Sequence, residues 1–220
     1  MVAGDQTEKT IQGRGLKMTA FVSLFRGINV GGHQAIRMDD LKDLYEALGF
    51  KDVATYIQSG NVVFTGDDAD LARLRRHIED GFEKKFGFHV EVIVRTSAEL
   101  REIIDKNPFQ SQQSKESKWV VVMFLAARPD DTAQEDLLKT YVGPEEIFII
   151  GKEMYIYYPN GIGRSKLSNS FIEKKLKALG TARNWNTILQ LQKMMQRQGH
   201  LMGTGFCDLL VIALTRSVTA

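Results

Sequence analysis

Apolar residues recur along this chain with two spacings, one of about two residues and one of about three and a half. Residues 21–25 (FVSLF) form a short apolar run with aromatic and branched side chains, which reads as a buried strand. A glycine-rich loop at residues 27–32 follows. Met38, Leu41, Leu44, Tyr45 and Leu48 then fall on one helical face, and Gly49 stops that helix. Residues 53–58 alternate as a strand, Ser59-Gly60 signals a turn, and residues 61–65 supply the hairpin partner. A second amphipathic helix is carried by Leu71, Leu74, Ile78, Phe82 and Phe86, and residues 90–95 return as a strand. The order strand, helix, strand, strand, helix, strand predicts a ferredoxin-like βαββαβ unit over residues 18–96.

Much of that order recurs over residues 97–196. Thr96 and Glu99 have the spacing of a capping box opening a short helix, and Asn107-Pro108 ends it. The polar stretch 110–118 (QSQQSKESK) reads as a linker or loop. A strong strand at 119–126, a helix at 132–141, a hairpin around Gly151 and a helix carrying Leu167, Phe171, Ile172, Leu176 and Leu179 come next. Trp185, Ile188, Leu189 and Met195 mark a last helix. The second unit is thus expected to be βαββα with an extra helix. The fold class is α+β, with two tandem subdomains that repeat in element order and not in residues. Residues 1–17 read as a disordered or appended tail, and residues 197–220 as a tail of unassigned structure.

Three phrases carry a resemblance when taken together: Arg26-Gly27-Ile28-Asn29-Val30-Gly31-Gly32, then Tyr56-Ile57-Gln58-Ser59-Gly60-Asn61-Val62-Val63-Phe64, then Thr181-Ala182-Arg183-Asn184-Trp185-Asn186-Thr187. With Asn107-Pro108-Phe109 between them, the chain resembles the bacterial family known as domain of unknown function 1697, over roughly residues 18–196. The resemblance implies two α+β subdomains, the first ferredoxin-like, and no particular activity.

Composition narrows the function less than it narrows the class. The 220 residues are 43% hydrophobic and 25% charged, as in ordinary folded proteins, and the net charge of +2 does not by itself argue for nucleic acid or membrane. The one cysteine, Cys207, rules out an intrachain disulfide framework and fits a reducing compartment. No run approaches the ~20 apolar residues of a membrane helix, and residues 1–17 lack the apolar centre of a signal peptide, so a cytoplasmic protein is expected. The four histidines show no metal-ligand spacing, and no metal or cofactor is expected.

The predicted topology itself nominates a site. In a ferredoxin-like sheet the first and third strands are antiparallel neighbours, so Arg26-Gly27 should lie beside Gly60-Asn61. One sheet edge would then gather Arg26, Gly27, Asn29, Gly31, Gly32, Gln58, Ser59, Gly60 and Asn61. Glycine amides and an arginine fork suit a carboxylate or phosphate, and a small anionic ligand is the expected partner. The same glycines and asparagines also serve tight turns. Gly27 and Gly32 have P-loop spacing, but His33 and Gln34 stand where lysine and a hydroxyl residue belong, and no dinucleotide fingerprint appears. Arg183, Asn184 and Trp185 offer a stacking ring beside a cation, or alternatively a core plug and a helix cap. Between residues 164 and 183 six basic residues face only Glu173, which keeps nucleic-acid binding as an alternative alongside an unrecognised enzyme and a structural or partner-binding protein. No convergent nucleophile, base and acid are present to name a reaction.

Overall fold

A computed structural model describes residues 18–29, 35–67 and 70–204, with side chains through residue 198. The first unit comprises β1 (Thr19–Phe25), α1 (Met38–Ala47), β2 (Lys51–Tyr56), β3 (Asn61–Gly66), α2 (Leu71–Phe86) and β4 (Val92–Thr96), followed by α3 (Ser97–Asp105). The second comprises β5 (Val120–Leu125), α4 (Asp131–Thr140), β6 (Glu146–Ile150), β7 (Glu153–Tyr157), α5 (Asn169–Leu176) and β8 (Gly180–Asn184), followed by α6 (Trp185–Thr204). The sheets run β2-β3-β1-β4 and β6-β7-β5-β8, all antiparallel, so both units have the split βαβ strand order.

The α+β class with two tandem subdomains stands as read. The second unit adds an element, because β8 lies where the sequence reads as a bend between two helices. β8 pairs with β5 as β4 pairs with β1, and each unit is therefore βαββαβ plus one trailing helix.

Both faces of each sheet are covered. On the outer face of the first sheet Phe21, Phe25 and Phe64 meet Tyr45, Ile78 and Phe82 of α1 and α2. Met123, Leu125 and Met154 meet Leu137, Ile172 and Leu176 in the same way on the second. The inner faces share one core, in which Val22, Leu24 and Val63 join Val122, Phe124 and Tyr155 through Ile103 of α3 and Trp185, Ile188, Leu191 and Met195 of α6. That is why β5, and β1 apart from the buried Ser23, read as apolar runs: successive apolar side chains enter different cores, and both sets are buried. RNA-recognition modules display aromatics on an open sheet face; here that face is the molecule's central core.

The caps follow the sequence. Thr96 and Glu99 form the capping box that opens α3, Asp70 caps α2, and Gly87 closes it in the left-handed region. The stretch 110–118 is tied down: the Lys115 ammonium lies 4.7 Å from the Phe109 ring and 5.0 Å from that of Tyr157, and it also pairs with Glu146.

Candidate functional site

Where β1 ends beside the start of β3, the two bends are adjacent as the topology predicts. Leu24 pairs with Asn61, and the Phe25 amide donates to the Gly60 carbonyl at 2.9 Å. Gly60 sits at φ +68°, and a Cβ there would lie 2.5 Å from Ile28 Cδ1 and 2.8 Å from Phe25 Cβ, so both backbone and packing require glycine. Asn29, at φ +57°, holds the neighbouring loop. Its Oδ1 accepts from the Ile36 amide at 2.7 Å, and its Nδ2 donates to the carbonyls of Ile36 at 3.0 Å and Gln58 at 2.8 Å. Gly31 and Gly32 lie outside the described residues.

Arg183 comes to this junction from the other unit. It is 6% exposed, and its guanidinium donates to Asn61 Oδ1, to Thr181 Oγ1 at 2.7 Å and to the carbonyls of Ala182, Phe25, Ser59 and Gly60. Asn61 in turn donates Nδ2 to the Tyr56 carbonyl and to Ser59 Oγ, both at 2.9 Å. Every acceptor around Arg183 is neutral. Burial of an uncompensated charge pushes its pKa down to about 10.

The first unit's Arg95 makes the comparison exact in register. Arg95 pairs with Val22 of β1, and Arg183 with Val122 of β5. Each donates to the carbonyl before it, Val94 or Ala182. Each reaches across to the carbonyl that ends the other unit's first strand, Leu125 or Phe25. Each then donates Nε to the first residue of the other unit's third strand. For Arg95 that residue is Glu153, whose carboxylate accepts from Nε and Nη2 at 3.0 Å; for Arg183 it is Asn61. One buried cation has its counter-charge, and the other has an amide.

Above Arg183 opens a cleft of about 730 Å³ between the units, whose lining includes Arg26, Ser59, Ser165, Ser168, Ser170 and Arg183. Its floor comes from the ends of β1 and β8, and its far wall from the approach to α5. Ser168 caps α5 by accepting from the Phe171 amide at 3.2 Å, so the positive end of that helix lies in the wall. Arg26 is already engaged: its fork donates to both oxygens of Glu173 at 2.7 Å, and Glu173 also accepts from the Gly180 amide at 2.9 Å. Burial alone would raise the Glu173 pKa, but the Arg26 hydrogen bonds, the Gly180 amide and the Arg26 charge together hold it below the ordinary value. The same bonds raise Arg26.

Of the residues nominated from sequence, Arg26, Gly27, Ser59 and Arg183 line this cleft, and Gly60 and Asn61 are buried beside Arg183. Asn29 borders a separate depression with Ile36 and Gln58. Asn184 caps α6, accepting from the Asn186 amide at 3.0 Å, and Trp185 is buried in the central core. Sequence reading missed Ser165, Ser168 and Ser170; the run SKLSNS before an amphipathic stretch is the N-terminus signal that would have found them. The basic stretch 164–183 is not one face, since Arg183 is buried and Lys175 pairs with Asp136 at 2.9 Å.

No described helix is long and apolar enough to cross a membrane. Comparison with curated proteins gave no match. A solved structure of a conserved bacterial protein from Streptococcus pneumoniae is similar with a TM-score of 0.62 and 23% identity, covering 81% of this chain and 99% of that one, a likeness of fold. A family model for proteins of unknown function, DUF1697, matches residues 18–155, well over half of the chain. With the family's model spanning all of the first unit and the second as far as β7, the chain belongs to the DUF1697 family.

Proposed function

We propose that the protein binds a small anion, carboxylate- or phosphate-bearing, in the cleft between its two units. The observation that carries this reading is the buried charge of Arg183, which faces only neutral acceptors where its counterpart Arg95 faces Glu153. An uncompensated cation in a low-dielectric setting projects a positive potential that solvent screens poorly. The donors of Arg183 are saturated, so it acts through its field. Direct hydrogen bonds would come from the hydroxyls of Ser59, Ser165, Ser168 and Ser170 and from the start of α5. The cleft volume falls within the range of small-molecule sites.

The test neutralises the field without emptying the cleft. Asn61→Asp places a carboxylate where Glu153 stands in the other unit. Wild-type protein should gain thermal stability with one or more of phosphate, pyrophosphate, nucleoside diphosphates and short-chain carboxylates; a ligand at 100 times its dissociation constant adds about 2.7 kcal/mol. Folded Asn61→Asp should lose that gain at least about tenfold in affinity, the loss of about 1.4 kcal/mol of attraction. If none of these anions moves the wild-type melting temperature, or if the variant binds as well as wild type, the reading fails.

A further inference from the structure

Glu173 has a counterpart in the first unit, and the pair of them isolates what Arg26 adds. Val92, the first residue of β4, pairs with Phe25, and Gly180, the first of β8, pairs with Leu125. Each of these first residues donates its amide at 2.9 Å to a carboxylate of the preceding helix, Val92 to Glu79 of α2 and Gly180 to Glu173 of α5. The residues that follow β1 and β5 match as well, since the Arg26 amide donates to the Glu91 carbonyl and the Ala126 amide to the Leu179 carbonyl. One of these matched positions carries arginine and the other alanine. Glu79 holds its strand while paired with Arg75 of its own helix, at 3.8 Å. The structural task of the carboxylate therefore does not call for Arg26. The arginine is an addition, and it stands at the end of the molecule where Arg183 lies uncompensated; the opposite end has Ala126 and an Arg95 neutralised by Glu153.

Glu173 occupies only one edge of the Arg26 guanidinium. Nε and Nη2 donate to its two oxygens, both at 2.7 Å. An arginine has five N–H donors, and those of Nη1 and the second of Nη2 have no hydrogen-bond partner among the described residues. Arg26 lines the cleft, and its side chain is 40% exposed against 11% for Glu173. The ion pair thus turns its cationic half to the cleft and keeps its carboxylate covered. Gripped along one edge, the guanidinium is fixed in orientation with a second fork left to offer.

We infer, resting on the anion-binding reading above, that Arg26 grips the ligand directly: one N–H each of Nη1 and Nη2 donates to two oxygens of a single carboxylate or phosphate group, and Glu173 is the positioning residue that aims them. Arg183 supplies the potential and Arg26 the direction. The ligand is then an oxyanion that presents two oxygens side by side, because a planar fork rewards that shape and not charge alone.

Calorimetric titration of the full chain with acetate, and then with phosphate, pyrophosphate and ADP, separates carboxylate from phosphate as the group held. Folded Arg26→Lys keeps the charge but loses the planar fork, and should bind the same anion at least about tenfold more weakly. Glu173→Gln strips a negative charge from the cleft wall, so a site working by charge alone would bind more tightly. With Arg26 no longer held, binding should instead weaken at least about threefold. A further measurement needs no substitution: in wild type the Arg26 Nη1 resonance should move on saturation with the anion, while Nε, still bonded to Glu173, moves far less. A folded Arg26→Lys that binds like wild type, a Glu173→Gln that binds as tightly or more so, or an unmoved Nη1 resonance overturns the inference. Should that happen while Asn61→Asp still weakens binding, the anion site stands without Arg26; if none of the four anions binds wild type, both readings fall.

Discussion

Arg95 and Glu153 form a buried ion pair whose side chains are 8% and 14% exposed, and it crosses from one unit to the other. Removing one partner of such a pair strands the other, at a cost of about 3–5 kcal/mol. Glu153→Ala should therefore lower the unfolding free energy by about that amount, measured by urea denaturation. Glu153→Gln should cost distinctly less, because the molecule already tolerates an amide in the equivalent place beside Arg183. Equal losses in the two variants would show that shape, and not charge, governs the site. None of this was readable from sequence. Arg183 suggested a ligand contact, yet an arginine inside a strand gives no sign of whether it faces solvent, substrate or the neighbouring unit. The glycine reading was more secure, because Gly60 answers to a local demand, a positive φ in a hairpin, that the turn itself announces.

Among the elements, the strands with branched and aromatic residues were evident and β8 was not. Gly180-Thr-Ala-Arg-Asn184 has little strand propensity. The reason lies in the packing: a Cβ on Gly180 would come within 2.7 Å of Met123 Cε and 2.8 Å of the Phe124 carbonyl, so the strand is small where the neighbouring chain is close. The stretch 110–118 is the loop it reads as, but what fixes it, Lys115 among the rings of Phe109 and Tyr157, is not legible in its polar composition. The last helix carries a different kind of flaw. Gln192 is 6% exposed, and neither its Oε1 nor its Nε2 has a hydrogen-bond partner, although it shares α6 with the core residues Leu191 and Met195. A buried polar group left unpaired costs about 1–3 kcal/mol, and methionine nearly matches glutamine in shape. Gln192→Met should raise the melting temperature; a fall would mean that the amide is satisfied in solution.

Across the whole molecule, the ties between units are polar as well as apolar, and one of them is sensitive to acid. Glu173 holds Arg26 from the opposite unit, and its folded pKa lies below the ordinary 4.5. A depressed carboxylate stabilises the fold above its unfolded value, and that contribution disappears as pH falls through the folded one. Wild type should accordingly lose stability faster than Glu173→Gln as pH falls from about 5 to about 2, whereas parallel curves would deny the pair any role. The reciprocal reach of Arg95 and Arg183 carries a further consequence for how this chain can be divided. The family model ends at residue 155, inside β7, and the natural-looking cut between the units falls near residue 110. A fragment stopped at either place would keep every strand of the first sheet yet lose Arg183, which ties off β1 and β3, and α6, which roofs their inner face. Sequence likeness therefore marks out less than what closes the shared core, and a fragment cut at either place should lose the cooperative unfolding expected of the full chain.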